Sequence, residues 1–127
     1  MTANRDLNAL QDRLRDFAEA RRWRRFHTPK NLAMALAGEV GELVAELQWL
    51  TEEETLALID EGDRRDRVVD EVADVAIYLL RFCDVLDIDL LETVASRIGQ
   101  NELRLPVDRV SGRAVRSRDL QDRRTPS

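Results

Sequence analysis

Apolar residues in this chain recur at intervals of three and four, with no sustained alternation of two, so the pattern predicts helix nearly throughout and no strand. Leu7, Leu10, Leu14 and Phe17 form the stripe of a first helix over about residues 4–23, closing on the basic run RRWRR. Thr28 and Pro29 then mark a helix start: a side-chain oxygen that can accept an orphan N–H, followed by a residue with no N–H to leave unpaired. That second helix runs over about 29–50. Thr51 with Glu54 three residues on is a capping box, opening a short third helix that ends near Gly62. Asp63 is expected to cap a fourth helix over about 64–86; DID breaks the pattern, and a fifth covers about 89–104 until Pro106 stops it. This is an all-α bundle of four to five helices over 1–106. The Arg-rich tail, 107–127, is either flexible or packed on a neighbouring subunit.

With 127 residues the simplest expectation is one core. A 43% apolar fraction with 35% charged residues fits helices with solvated outer faces rather than a disordered chain. The net charge of −5 gives no general affinity for a phosphate backbone, so no stable nucleic-acid partner is expected, and a site for phosphates would need metal. Cys83 is the only cysteine, which excludes an intrachain disulfide and a zinc cluster; it reads as a small buried hydrophobe. The opening MTANRDLNAL has no apolar run and nothing later approaches a membrane span, so the expected setting is cytoplasmic, without membrane association.

Three carboxylates interrupt the second helix. With Glu39 at zero on the helical wheel, Glu46 falls at about −20° and Glu42 at about −60°, beside an apolar stripe of Leu32, Leu36, Val40, Leu43, Leu47 and Leu50 at about 20° to 100°. The fourth helix repeats the arrangement: Glu71, Tyr78 and Asp74 flank Val68, Val72, Val75, Leu79, Phe82 and Leu86. EVGELVAEL (39–47) and EVADVAIYL (71–79) match as text, with Gly41 and Ala73 as small residues in register. Helices packed through these stripes would gather Glu39, Glu42, Glu71 and Asp74 at the edge of a core, where four acids repel unless they hold protons or find cations. An all-oxygen set with room for water and phosphates suits Mg²⁺, with Mn²⁺ as a substitute, better than Ca²⁺. A di-iron carboxylate bundle would need a Glu-x-x-His on each of two helices, and His27 is the only histidine.

WRRFHTPKNLAMALAGEVGELVAELQWL, then DEVADVAIYLLRF, then NELRLPV resemble the MazG-like all-α nucleoside triphosphate pyrophosphohydrolases, most closely their small dCTP pyrophosphatase branch, over roughly residues 5–106. The resemblance implies hydrolysis of a (deoxy)nucleoside triphosphate, dCTP or a modified dCTP foremost, to the monophosphate and pyrophosphate, with Mg²⁺ on Glu39, Glu42, Glu71 and Asp74. Glu42 and Glu46 are the candidates to take the water's proton, since they share the arc. Trp23, Phe26, His27, Asn31, Trp49 and Tyr78 are implied for base and sugar, flat side chains stacking while His and Asn read an edge; the alternative is that Trp23 and Phe26 fill the core and His27 braces the helix start. Arg97, Asn101 and Arg104, on one face of the fifth helix, are implied for phosphate.

The sequence departs from the pattern at three points: Arg97 where relatives usually carry Lys, which keeps the charge but grips phosphate differently, and two that bear on substrate preference, Leu105 where the branch has Tyr and a tail without the Lys-Tyr pair. The resemblance also implies a homo-oligomer, a tetramer built from tight dimers. Two rival readings stand beside it: a non-catalytic helical interaction or regulatory protein, and the same chemistry on another nucleotide such as dUTP.

Overall fold

The computed structural model describes residues 6–121, and every regular element among them is helical. The elements are α1 (Leu7–Ala20), α2 (Pro29–Leu47), α3 (Glu52–Leu56) running into a 3-10 turn (Ala57–Ile59), α4 (Asp63–Val85), α5 (Leu90–Arg104), α6 (Val107–Val110) and α7 (Ser117–Gln121). Contacts divide the chain into two compact units, Met1–Ile88 and Asp89–Ser127. Among the described residues no helix is long and apolar enough to cross a membrane.

Helix starts follow the capping chemistry. Asp6 accepts the Asn8 N–H ahead of α1 and Thr28 accepts the Asn31 N–H with Pro29 first in α2. Thr51 and Glu54 complete the reciprocal box before α3, and Asp89 accepts the Glu92 N–H at α5. Asp63 departs from expectation: it is the first residue of α4, Gly62 precedes it as cap, and no side chain closes that end.

α1 and α2 end three residues short of the sequence reading, α4 one residue short, and α5 where expected. α1 stops at Ala20 because Arg22 adopts φ +56°, letting the Trp23 N–H reach the Ala18 carbonyl and the Arg22 N–H reach that of Glu19. This is the Schellman arrangement, here with arginine rather than the usual glycine in the left-handed position. α4 ends the same way on Asp87, φ +54°, with Ile88 N–H to Cys83 O at 2.8 Å. α2 closes at Leu47, leaving Trp49 in the turn beyond it. The tail forms α6 and α7, and Arg109 donates to the Leu120 carbonyl at 2.8 Å; residues 122–127 of the expected tail, like residues 4 and 5 of the expected first helix, lie outside those described.

In the first unit α4 is the central element. Glu46 meets Arg67 at one end of the α2–α4 pair and His27, just before α2, meets Arg81 at the other, so the two helices run antiparallel. α1 runs alongside α4 in the same direction, since Gln11 reaches the Leu80 carbonyl and Arg15 reaches Asp84 at a constant offset of 69 residues. The apolar interior is small: among the described residues of this unit only Ala18, Leu32, Leu80 and Cys83 are fully buried hydrophobes. Burial raises the Cys83 thiol pKa, which makes it an inert core group. Val40, Val72 and Leu86, expected in the stripes, stay exposed, because the α2–α4 seam is narrower than the apolar arcs that face it.

Arg81, 7% exposed, is the one charged residue buried among those described. Its Nη1 donates to Asp84 at 2.9 Å, and Asp84 also accepts from Arg15 Nε at 3.0 Å. Arg15 holds the Asp84 carboxyl below its ordinary value, against the opposing effect of burial. Asp84→Ala is therefore expected to destabilise by about 3–5 kcal/mol, because it strands a buried guanidinium. Urea unfolding of the variant beside wild type measures this.

Candidate metal centre and nucleotide site

The antiparallel pairing of α2 and α4 brings the two acidic motifs face to face. One carboxylate oxygen from each of Glu39, Glu42 and Glu71 lies within 4.8 Å of the others. Glu39 and Glu71 are half-buried and Glu42 is exposed, so the trio forms a cleft with one wet side. Asp74 is outside that tight group, yet its charge acts on both Glu39 and Glu71. Burial first, then Glu42, then Asp74 raise the Glu39 pKa. For Glu71 the order is burial, Glu42, Glu39 and Asp74, again upward.

Glu39 Oε2 and Glu71 Oε2 are buried without any hydrogen-bond donor. Polar atoms are rarely left so, because the desolvation of each is uncompensated. Convergent anionic oxygens, two of them starved of donors, fit a hard divalent cation and nothing apolar. Glu46, on the same arc, is instead engaged by Arg67 Nε at 3.2 Å and does not join the trio.

Of the residues expected around a base, Trp23, Phe26, His27 and Asn31 gather at the start of α2, while Trp49 lies at its other end. Trp23 packs edge-on to Phe17 with ring centroids 5.7 Å apart and tilts toward His27 at 6.0 Å. Trp23 and Phe26 are 40% and 52% exposed, so neither is simple core. Arg25 lies over the Phe26 ring at 4.6 Å. Asn31 Nδ2 donates to the Phe26 carbonyl at 3.1 Å, which braces the turn and leaves its side-chain oxygen as the group able to meet a ligand. Tyr78, half-buried on α4, stands one turn beyond Asp74, whereas Trp49 is 86% exposed in the turn after α2.

Arg97, Asn101 and Arg104 lie on α5 in the second unit; Arg104 donates to Asn101 at 2.8 Å and Arg97 to Gln100 at 3.0 Å. The sequence reading missed Arg81, Asp84, Arg15 and Arg67. A signal existed for Arg81: a charged residue inside the apolar run YLLRFCDVL, three positions before an acid.

A pyrophosphatase from Archaeoglobus fulgidus has a solved structure similar to this fold, with a TM-score of 0.73 and 39% identity, covering 84% of this chain and 97% of that one. The chain belongs to the MazG-like all-α pyrophosphohydrolases. Curated relatives in this family include dCTP pyrophosphatase 1 of Rattus norvegicus, 37% identical over 105 residues, and of Homo sapiens, 38% identical over 91 residues. These matches cover 83% and 72% of this chain but 62% and 54% of the relatives, so the chain spans less than two thirds of their length. No family model matches the chain.

Proposed function

We propose that the protein hydrolyses a deoxynucleoside triphosphate, dCTP or a base-modified dCTP, to the monophosphate and pyrophosphate, with 1–106 as the pyrophosphohydrolase domain and 107–127 as its tail. The observation that carries this reading is the acidic trio with its two buried, donorless oxygens, in a chain akin to proteins named dCTP pyrophosphatase 1. Glu39, Glu42, Glu71 and Asp74 are the residues that would hold Mg²⁺, or Mn²⁺ in its place. When bound, the cation neutralises the triphosphate and lowers the pKa of the attacking water.

Water attacks the α-phosphorus and the bond to the bridging oxygen of the β-phosphate breaks. Glu42, the exposed acid of the trio, is assigned to accept the water's proton; Glu46, held by Arg67, is the second candidate. Trp23, Phe26, Trp49 and Tyr78 supply stacking surface, His27 and Asn31 edge contacts, and Arg97, Asn101 and Arg104 charge and hydrogen bonds for phosphate oxygens.

The reading includes a cytoplasmic setting and a homo-oligomer, a tetramer assembled as a dimer of dimers. Support for assembly comes from large apolar side chains left open, among them Leu56 at 75%, Ile59 at 80% and Leu103 at 85% exposure. Light scattering is expected to give a multiple of the 14.6 kDa chain mass, and Ile59→Asp to lower it. A monomer at micromolar concentration would contradict the assembly.

The activity test is incubation with a panel of canonical and base-modified nucleoside triphosphates, with Mg²⁺ or with EDTA, resolving products by chromatography. A cytosine nucleotide is expected to give equimolar monophosphate and pyrophosphate, only with metal. A folded, oligomeric protein that hydrolyses none of them would favour a metal-binding or partner-binding role without turnover.

A further inference from the structure

We propose that Arg81 is a positioning residue: the N–H it gives to His27 fixes the imidazole in one tautomer, making the outward ring nitrogen a hydrogen-bond donor to an acceptor atom of the nucleoside. The inference rests on the nucleotide reading above and deepens it.

Arg81 Nε lies 3.3 Å from His27 Nδ1. A guanidinium has five N–H donors, no acceptor, and does not deprotonate in proteins. Whichever ring nitrogen faces it must therefore present a lone pair, and in a neutral imidazole the other nitrogen then carries the hydrogen. With Nδ1 turned to Arg81, that donor is Nε2, for which no described residue provides an acceptor.

Arg81 is unable to turn away. Its side chain is 8% exposed, its Nη1 is tied to Asp84 Oδ2 at 2.9 Å, and Asp84 is held from the other side by Arg15. The chain Arg15, Asp84, Arg81, His27 thus runs from α1 through α4 to the turn that opens α2. Its two arginines and one aspartate leave a surplus positive charge beside the ring, and burial followed by Arg81 lowers the His27 pKa, so both charge and hydrogen bonding disfavour the imidazolium.

The placement suits a nucleoside. Arg81 stands two helical turns beyond Asp74 on the same face of α4, about 10.5 Å along the axis, with Tyr78 between them. Trp23 lies against His27 with ring centroids 6.0 Å apart.

The consequence for specificity is definite. An Nε2–H recognises a carbonyl oxygen or an unprotonated ring nitrogen, which a cytosine edge offers at O2 and N3. It has no lone pair for the 4-amino group, so discrimination at that group belongs to another residue.

His27 is the only histidine, which makes the test clean. Long-range ¹⁵N–¹H NMR on the full-length, ¹⁵N-labelled protein at neutral pH is expected to show one protonated nitrogen, Nε2, and one pyridine-like nitrogen, Nδ1. In Arg81→Met, where Asp84 keeps Arg15, the two shifts are expected to move toward each other as the tautomers mix. Titrating dCTP in EDTA is expected to shift the wild-type Nε2–H resonance. Arg81→Met is expected to raise KM by roughly five- to tenfold with kcat nearly unchanged, and Arg81→Lys, which keeps a donor, to recover part of the loss.

A wild-type ring protonated at Nδ1 overturns the proposal even if dCTP is hydrolysed, and so does a KM unmoved by Arg81→Met. If no nucleotide is turned over, the function proposed above fails separately; an Nε2–H tautomer whose resonance still answers dCTP then upholds the positioning role, and one that ignores dCTP overturns it.

Discussion

Glutamine at position 71 is expected to lower nucleotide hydrolysis by on the order of a thousandfold while leaving the helices in place. The substitution keeps the volume and planar end of the side chain and removes the charge. In the native protein one Glu71 oxygen is buried with no donor, and its carboxylate faces Glu39 and Glu42 across the α2–α4 seam. Among the described residues no cation pairs with that negative charge, whereas a metal ion bridging α2 and α4 would. Glu39→Gln is expected to act alike, and the double variant to fall little further, because both carboxylates serve one centre. Glu53→Gln, on the exposed first turn of α3, is the control and is expected to leave activity unchanged. Steady-state pyrophosphate release, calorimetric Mn²⁺ titration and circular dichroism measure the three quantities together. A Glu71→Gln protein that keeps a tenth of wild-type activity, or binds Mn²⁺ as tightly, contradicts the acid's role.

Much of this site was legible before any coordinates. The ExxE and ExxD motifs lie on the shoulders of apolar stripes, and a stripe marks which face of a helix is inward; the antiparallel direction of the pair is seen in the structure, from Glu46 with Arg67 and His27 with Arg81. Thr28 and Thr51 likewise announce their helix starts through side-chain chemistry that acts within three residues, whereas the expected cap Asp63 falls inside α4 and closes nothing. The failures are non-local or conformational. Arg22 and Asp87 end their helices in the left-handed region, which glycine would have signalled and these residues do not. The partnership of Arg81 with His27 spans 54 residues and that of Glu46 with Arg67 spans 21, so no local spacing encodes either. The exposure of Val40 and Val72 was hidden for a third reason: periodicity says that a face is apolar, not which chain covers it.

Without a bound cation the protein is expected to lose stability as pH rises above about 4.5, and Mg²⁺ to restore it. Glu39 and Glu71 both titrate above the 4.5 of a free glutamate, through burial and through the acids around them. Over the interval between 4.5 and their folded values the native state holds protons that the unfolded chain has released, so stability falls with pH there. The contribution is complete below 4.5 and is lost as pH climbs through the folded values.

Two other sets of groups act in the opposite sense. Asp84 and Glu54 titrate below their ordinary 3.8 and 4.5, so the stability they give is present above those values and is lost as pH falls through the folded ones. His27 titrates below 6.5, so its contribution grows as pH rises to that value. Comparison with Glu39→Gln/Glu71→Gln removes these common contributions and isolates the acid pair. In EDTA the double variant is expected to gain on wild type from about pH 4.5 upward until Glu39 and Glu71 have both released their protons, and to be the more stable protein above that point. Mg²⁺ replaces the missing protons in wild type alone, adding about 2.7 kcal/mol at a free concentration one hundred times its Kd. Thermal melts at fixed protein concentration, with EDTA or Mg²⁺ at each pH, read both effects. A wild-type protein that holds its margin over the double variant across that range in EDTA would show that the clustered carboxylates are not in conflict, and the argument for a cation between α2 and α4 would lose its physical basis.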